Sequence, residues 1–319
     1  MRLLFALLAL VAVHSASAQG DYPSKPVRMI VGFAAGGISD VLGRAVAITA
    51  SKQLGQQVLV ENKPGAGTTI AGDYIARSTP DGYTIWLQDI TTHAINAALY
   101  AKLPYDSVKD FTYVAMIAST PLMLVVHPST NAHSVPELIA LLKANPGKLS
   151  YGSSGNGTIV HLAGEMLRQA AGVEVLHVPY KGSNPATQAI LGGEVTFVFS
   201  TMPPAISAAK AGKLRALAVT TPKRVAAAPE VPTMIESGLR EFDVVLYSGV
   251  LGPKGTDAAV VKKLNAAFAA TVRAQEIQKV YEQLGAEAIV MSPQAFEAAT
   301  QREIAKLAPL VKASGAKID

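Results

Sequence analysis

Val27-Arg28-Met29-Ile30-Val31-Gly32-Phe33-Ala34-Ala35-Gly36-Gly37-Ile38-Ser39-Asp40 decides the reading of this chain. A β-branched apolar run gives way to a glycine-rich loop, and an apolar-periodic stretch follows to about Leu54 and stops at Gly55. That is a buried strand, a turn and a helix, the unit from which largely parallel α/β sheets are built. The unit recurs. Val58–Val60 is a strand, Pro64-Gly65-Ala66-Gly67 a turn, Thr69–Ala76 a helix, Pro80-Asp81-Gly82 a second turn and Thr84–Leu87 a strand. Val114–Ile117 and Leu122–Val126 read as two further strands around Pro121.

A second set then begins. Ser134-Val135-Pro136-Glu137 has the pattern of a capping box before the apolar helix Leu138–Leu142. Strands are expected at Leu149–Tyr151, Val175–Val178, Val195–Phe199 and Leu214–Val219, with helices at about Thr158–Ala171 and Pro185–Leu191. Met202-Pro203-Pro204 reads as a rigid turn, and the tail from Thr256 as mostly helical, with helix starts at Thr256-Asp257 and Ser292-Pro293. No internal repeat or low-complexity linker separates the sets, so two α/β lobes that share connections fit the pattern.

Composition narrows the chemistry. Of 319 residues half are hydrophobic, 16% are charged and none is cysteine, which excludes intrinsic disorder, disulfide-stapled scaffolds, thiol catalysis and Cys-ligated metal sites. The formal charge of +5 is spread thinly, in pairs such as Lys262-Lys263 and Lys223-Arg224, and argues against a nucleic-acid surface. Residues 1–18 have a positive start, the apolar run Leu3–Val13 and the small-residue site Ala16-Ser17-Ala18, the three parts of a secretory signal peptide. Cleavage before Gln19 removes one arginine and lowers the charge from +5 to +4. No later apolar stretch reaches the roughly 18 residues that a membrane helix needs. The expectation is an exported chain without a lipid anchor.

Three loops follow strands and are rich in glycine and small polar residues: Gly32–Asp40, Tyr151–Thr158 and Pro179–Asn184. Open α/β sheets bind ligands beyond the carboxyl ends of their strands, and backbone N–H groups at a helix start favour an anion. Taken singly, each loop is an ordinary strand-to-helix turn. None has nucleotide-loop spacing, and Gly152–Asn156 lacks the final glycine of a nucleophile elbow. His93, His127, His133, His161 and His177 form no metal-ligand spacing, and His161 with Glu165 on one helix face reads as a surface or core contact. Asp40 at a helix start reads as a cap or dipole partner.

Several stretches resemble the extracytoplasmic solute receptors of tripartite tricarboxylate transporters, the Bug family. They are Tyr22–Arg28, Gly36–Asp40, Val60–Gly67, Pro80–Thr84, Gly152–Thr158, His161–Glu165, His177–Gly182, Gly212–Ala218 and Pro229–Thr233, in the family's order and along nearly all of the mature chain. The resemblance implies a two-lobed, Venus-flytrap α/β fold with mixed sheets flanked by helices and a ligand cleft between the lobes. It implies lobe 1 from 19–121 and 244–319, with a return strand near Val244–Leu251, and lobe 2 from 122–243.

It further implies a carboxylate held by main-chain groups and ordered waters at Gly36, Gly37, Ile38 and Ser39. Ser153, Ser154, Asn156, Gly157 and Thr158 would face it, Tyr180 and Gly182 would lie nearby, and Gln88 would vary with ligand. Ala34-Ala35 and Tyr247 depart from the relatives' prolines and tryptophan, and Tyr247 would alter one cleft wall. The implied function is capture of a small carboxylate (dicarboxylate, tricarboxylate, acidic amino acid or aromatic acid) by a periplasmic monomer. That monomer delivers it to integral membrane components of the transporter, with no cofactor, metal, nucleic acid or catalysis. Gly37→Val should then abolish binding. The alternatives are an exported serine hydrolase using Ser153 or Ser154 with a histidine, and a ligand-sensing receptor for a membrane sensor kinase.

Overall fold

The computed structural model describes residues 22–314 apart from 241; the leader expected at 1–18 lies outside these. The first half carries β1 (Val27–Val31), α1 (Ile38–Leu54), β2 (Val58–Asn62), α2 (Thr69–Ala76), β3 (Thr84–Asp89) and α3 (Ile90–Leu99). A long strand, β4 (Phe111–Val126), leads to α4 (Val135–Ala144), β5 (Ser150–Ser153), α5 (Ile159–Ala171), β6 (Leu176–Pro179), α6 (Ser183–Leu191), β7 (Phe197–Thr201), α7 (Met202–Lys210) and β8 (Arg215–Val219). The chain ends with β9 (Val245–Pro253), α8 (Ala258–Arg273), α9 (Gln275–Leu284), β10 (Glu287–Ala288) and α10 (Pro293–Ser314).

The fold is two-lobed mixed α/β. Its sheet order is β2-β1-β3-β9-β4-β7-β5-β6, with β8 and β10 also on β4. β1 runs parallel to β2 and β3, β5 runs parallel to β6 and β7, and β9 is antiparallel to both β3 and β4. β1 has helices on both faces, which is why Val27, Met29, Ile30 and Val31 are all fully buried and the run does not alternate. In α1 the residues Ile38, Leu42, Val46, Ala50 and Leu54 repeat every four positions and form its buried stripe. Gly55 then takes a left-handed φ of 70° and donates its N–H to the Ser51 carbonyl, which ends the helix as expected.

β4 departs from the sequence reading. The two strands expected around Pro121 are one strand of 16 residues. As far as Pro121 it pairs with β9, and from Leu122 it pairs with β7 and β8. Pro121 stands at this change of partner, where its missing N–H interrupts neither ladder. Met202-Pro203-Pro204 is likewise the first turn of α7 and not a free turn, because the first helical N–H groups have no intrahelical acceptor to lose. The Ser134 hydroxyl accepts the Glu137 N–H at 3.3 Å, while the Glu137 carboxylate reaches past Ser134 to the N–H of His133 at 2.8 Å. Other expected elements shift by one to three residues at their ends.

The largest apolar cluster runs through both halves, from Met29 and Leu42 through Leu124 to Phe197. Within it Tyr151 is fully buried, stacks on Phe197 with centroids 5.5 Å apart, and donates its hydroxyl to Glu165 at 2.6 Å. A side chain at Gly164 would strike the Tyr151 ring. Overpacking of this kind costs up to about 3 kcal/mol, whereas Gly to Ala in a helix gains about 1 kcal/mol. Gly164→Ala is therefore expected to lower stability by about 2 kcal/mol, read as a lower urea midpoint at unchanged slope; an unchanged midpoint would show that Tyr151 has room to move.

Candidate functional site

Five strand ends deliver five helix starts to one place. β1 leads through Gly32–Gly37 to α1, β3 directly to α3, β5 through the 154–158 loop to α5, β6 through Tyr180–Gly182 to α6, and β7 directly to α7. Between them lies a void of about 10 Å³ lined by Gly37, Ile38, Ser39, Asp89, Ile159, Ser183 and Thr201, among others. That is close to the volume needed for one water molecule. Each helix start carries a positive partial charge of roughly half a unit and unpaired N–H groups.

Two of these starts are capped by side chains. Asp89 accepts the N–H of Thr92 at 3.0 Å, and Thr158 accepts that of His161 at 3.3 Å. The other three, at Gly37, Gly182 and Thr201, have no side-chain cap. The Thr201 hydroxyl is buried and has no hydrogen-bond partner among the described residues. The arrangement suits an anion with acceptor oxygens: the N–H groups of Ile38 and Ser39 on α1, of Ser183 and Asn184 on α6 and of Met202 alone on α7, whose next two residues are prolines, together with an unused hydroxyl, drawn from both halves of the sheet.

Outside the void a larger cavity of about 460 Å³ is lined on one side by Phe33, the 65–68 turn and Tyr100, and on the other by Ser154, Gly155, Asn156, Pro179, Tyr180 and Lys181. Phe33 and Ser154 border both spaces. The two halves meet around this cavity. The Ala34 N–H donates to the Lys181 carbonyl at 3.3 Å, Asn184 Nδ2 to the Ala35 carbonyl at 3.4 Å, and the Ile159 N–H to Thr92 Oγ1 at 3.1 Å. The lobes are therefore closed on each other.

The 65–68 turn runs through four successive positive φ values, including Ala66 (44°) and Thr68 (78°). Residues with a Cβ resist this region. Hydrogen bonds hold the turn there: Asn96 Nδ2 donates to the Gly67 carbonyl at 2.7 Å, Tyr100 to the Ala66 carbonyl at 3.0 Å, and Gln88 Nε2 to Thr68 Oγ1 at 2.8 Å.

The residues named from the sequence divide accordingly. Gly37, Ile38, Ser39 and Ser154 line the void, and Asn156 and Tyr180 line the outer cavity. Gly36 (φ 88°) and Gly182 (φ 135°) lie where the loops of the two halves touch, against Asn184 and Ala34 respectively. Thr158 caps α5, and Gly157 donates its N–H to His161 Nδ1 at 3.3 Å. Gln88 is fully buried and borders neither space; it props Thr68. Ser153 is fully buried and is hydrogen-bonded to His177 Nε2 at 2.6 Å, also away from both spaces.

Tyr247 faces the opposite side of β9 from Leu246, which lines the void; its neighbours are Asp243 and Glu303. Alternation along a strand sends these two side chains apart. Gly37 has a φ of −80° and room for a Cβ, so the requirement for glycine expected there belongs instead to Gly36 and Gly67. Asp40 serves its helix as expected, accepting the Gly36 N–H at 3.0 Å, and Glu165 is a core contact of Tyr151. Asp89, Ser183, Thr201, Thr68 and Phe33 were not singled out from the sequence. Asp89 and Thr201 each stand at the end of an apolar strand directly before a helix, a pattern that marks caps.

Burial sets the protonation of the deep groups. Asp89, fully buried, is pushed up to about 7 by desolvation, opposed by its hydrogen bonds from Thr92 and Thr91. Desolvation lowers His93 to about 4 and, together with neighbouring His161, lowers His177 to about 3. His161 is also lowered by desolvation. The stacked pair His161–His177, 4.1 Å between centroids, is thus neutral above mildly acidic pH. Among the described residues no group of three or more His, Asp or Glu could hold a metal ion, and no helix is long and apolar enough to cross a membrane.

Residues 42–316 match the family model described as the tripartite tricarboxylate transporter family receptor. Among solved structures the chain is similar to the periplasmic binding protein BugD (36% identical, TM-score 0.89, covering 93% of this chain and 99% of that one). It is similar to Rpa4515 of R. palustris with adipate (34%, TM-score 0.90, 93% and 100%) and to MatC of Rhodopseudomonas palustris with bound malate (30%, TM-score 0.86, 91% and 100%). With a family match along most of its length and relatives alike in fold and sequence, the chain belongs to the tripartite tricarboxylate transporter receptors, a family of periplasmic solute-binding proteins.

Proposed function

We propose that this protein captures a small carboxylate in the cleft between its lobes and delivers it to integral membrane components of a tripartite transporter. The observation that carries this reading is the set of three uncapped helix starts around the inner void, with the partnerless Thr201 hydroxyl among them. One ordered water fills the void and the carboxylate lies against it, at the boundary marked by Phe33 and Ser154. Each helix start contributes on the order of 1–2 kcal/mol toward such a partly buried anion. The rest of the ligand occupies the outer cavity, where Thr68, Tyr100, Asn156 and Lys181 set which acid fits. Relatives in complex with adipate and malate favour a dicarboxylate.

Capture works by hinge closure, with lobe 1 formed by 19–121 and 244–319 and lobe 2 by 122–243. The crossings beside Pro121 and before β9 are the hinges, since there the strands change partners. The protein is exported through the leader, cleaved near Ala18-Gln19, and acts as a monomer. It performs no catalysis. Ser153 and His177 are in hydrogen-bond contact but border neither space, and a histidine held near 3 is a weak general base at neutral pH.

In a thermal-shift screen of adipate, malate, citrate, glutamate and benzoate, at least one acid should stabilise the protein. At about 100 times its dissociation constant the gain is about 2.7 kcal/mol; no shift with any of the five contradicts the reading. Thr201→Val should weaken binding of that acid about tenfold, the loss of one buried hydrogen bond, without lowering stability in its absence. Gly67→Ala places a Cβ against the Asn156 carbonyl of the facing loop at a left-handed φ. It should hold the lobes apart, seen as a larger radius of gyration in small-angle scattering with the acid present and an unchanged circular dichroism spectrum.

A further inference from the structure

Asp89 is the one acidic side chain among the described residues lining the inner void, and it sits where the preceding reading brings a ligand carboxylate. Its carboxylate faces hydrogen-bond donors only from its own helix: the N–H and hydroxyl of Thr92 and the N–H of Thr91. The Thr92 hydroxyl accepts the Ile159 N–H of the other lobe, so its own proton is left for Asp89. Among the described residues no cation pairs with Asp89. Of the charged or titratable groups on the elements packed around it, Glu303 on α10 is negative and repels it, and Tyr247 lies on the other face of β9. Arg44 on α1 is engaged by Asp40, Arg168 on α5 by Glu165, and Lys306 acts on Glu303. His93 turns to the Ser107 carbonyl, and His161 accepts from Gly157. The positive ends of the helices are therefore what balances Asp89, and an entering carboxylate would draw on the same field.

We infer that the seat takes up its carboxylate together with one proton from the solvent, held by Asp89, so that this residue makes capture tighter as pH falls. This rests on the carboxylate reading of the cleft. The sign follows from linkage. Burial already holds Asp89 near 7. A second negative charge within about 6 Å, at an effective dielectric of about 20, raises it by on the order of two further units. The complex then holds more protons than the free protein at pH 7–9, and affinity falls as pH rises through that window. His93, His161 and His177 are neutral there and contribute no proton.

The test is calorimetric titration of the mature protein with adipate, malate and citrate at pH 8 in phosphate and in Tris, buffers of small and large ionisation enthalpy. The wild type should take up between about half and one proton per acid bound. Its affinity should fall by up to about tenfold per pH unit from 7 to 9. Asp89→Asn should take up none and bind with no pH dependence over that range. A binding heat that is the same in both buffers, or an uptake that survives in Asp89→Asn, overturns the role of Asp89 and leaves the receptor reading intact. Absence of heat with all three acids defeats both. Should Asp89→Asn fail to fold, ¹³C titration of the Asp89 carboxyl in the wild type decides: a midpoint that rises on adding the binding acid supports the inference, and an unmoved midpoint overturns it.

Discussion

Helix starts repel one another, and this protein gathers five of them around a space the size of a water molecule. Their partial charges are alike, their first N–H groups have no intrahelical acceptors, and burial denies them solvent. Asp89 and Thr158 answer for two. The remaining three come from both halves of the sheet, so whatever satisfies them also joins the halves. A site of this kind needs no charged side chain to attract an anion. The charge at the void is carried by main-chain groups that the fold itself aims, and none of the described residues lining it is basic.

The rest of the architecture serves that convergence. β4 belongs to both ladders, and Pro121 marks the point at which it leaves one for the other. The halves can then share a continuous apolar core while the loops after β1, β5 and β6 meet at the cleft. On that side the 65–68 turn is held in a disfavoured backbone region by Asn96, Tyr100 and Gln88. The strain brings Gly67 against the Asn156 carbonyl of the facing loop, an approach that a Cβ would forbid.

Much of this was legible in the sequence. Apolar runs without alternation mark strands buried on both faces, and glycines mark the ends of β1, β5 and β6, so three of the five junctions were named from the chain alone. The junctions at Asp89 and Thr201 were not, because there the strand passes into the helix without a glycine, and a cap residue looks alike whether it faces solvent or a ligand. Gln88 stands where the family varies with ligand and Tyr247 where relatives carry tryptophan, but their directions depend on strand pairing that no local pattern encodes: one props Thr68 and the other faces Asp243 and Glu303. The loop pattern points to Gly37 as the obligatory glycine, yet Gly36 beside it bears the positive φ.

The central claim is that helix starts from both lobes hold one carboxylate. It is tested most directly by ¹⁵N–¹H spectra of the assigned protein titrated with the acid that stabilises it. The account predicts that the amides of Ile38, Ser39, Ser183 and Met202 show the largest downfield shifts and move together at one dissociation constant. Largest shifts beside Tyr247, Lys223 and Glu287, on the hinge side, with those four amides unmoved, would contradict it.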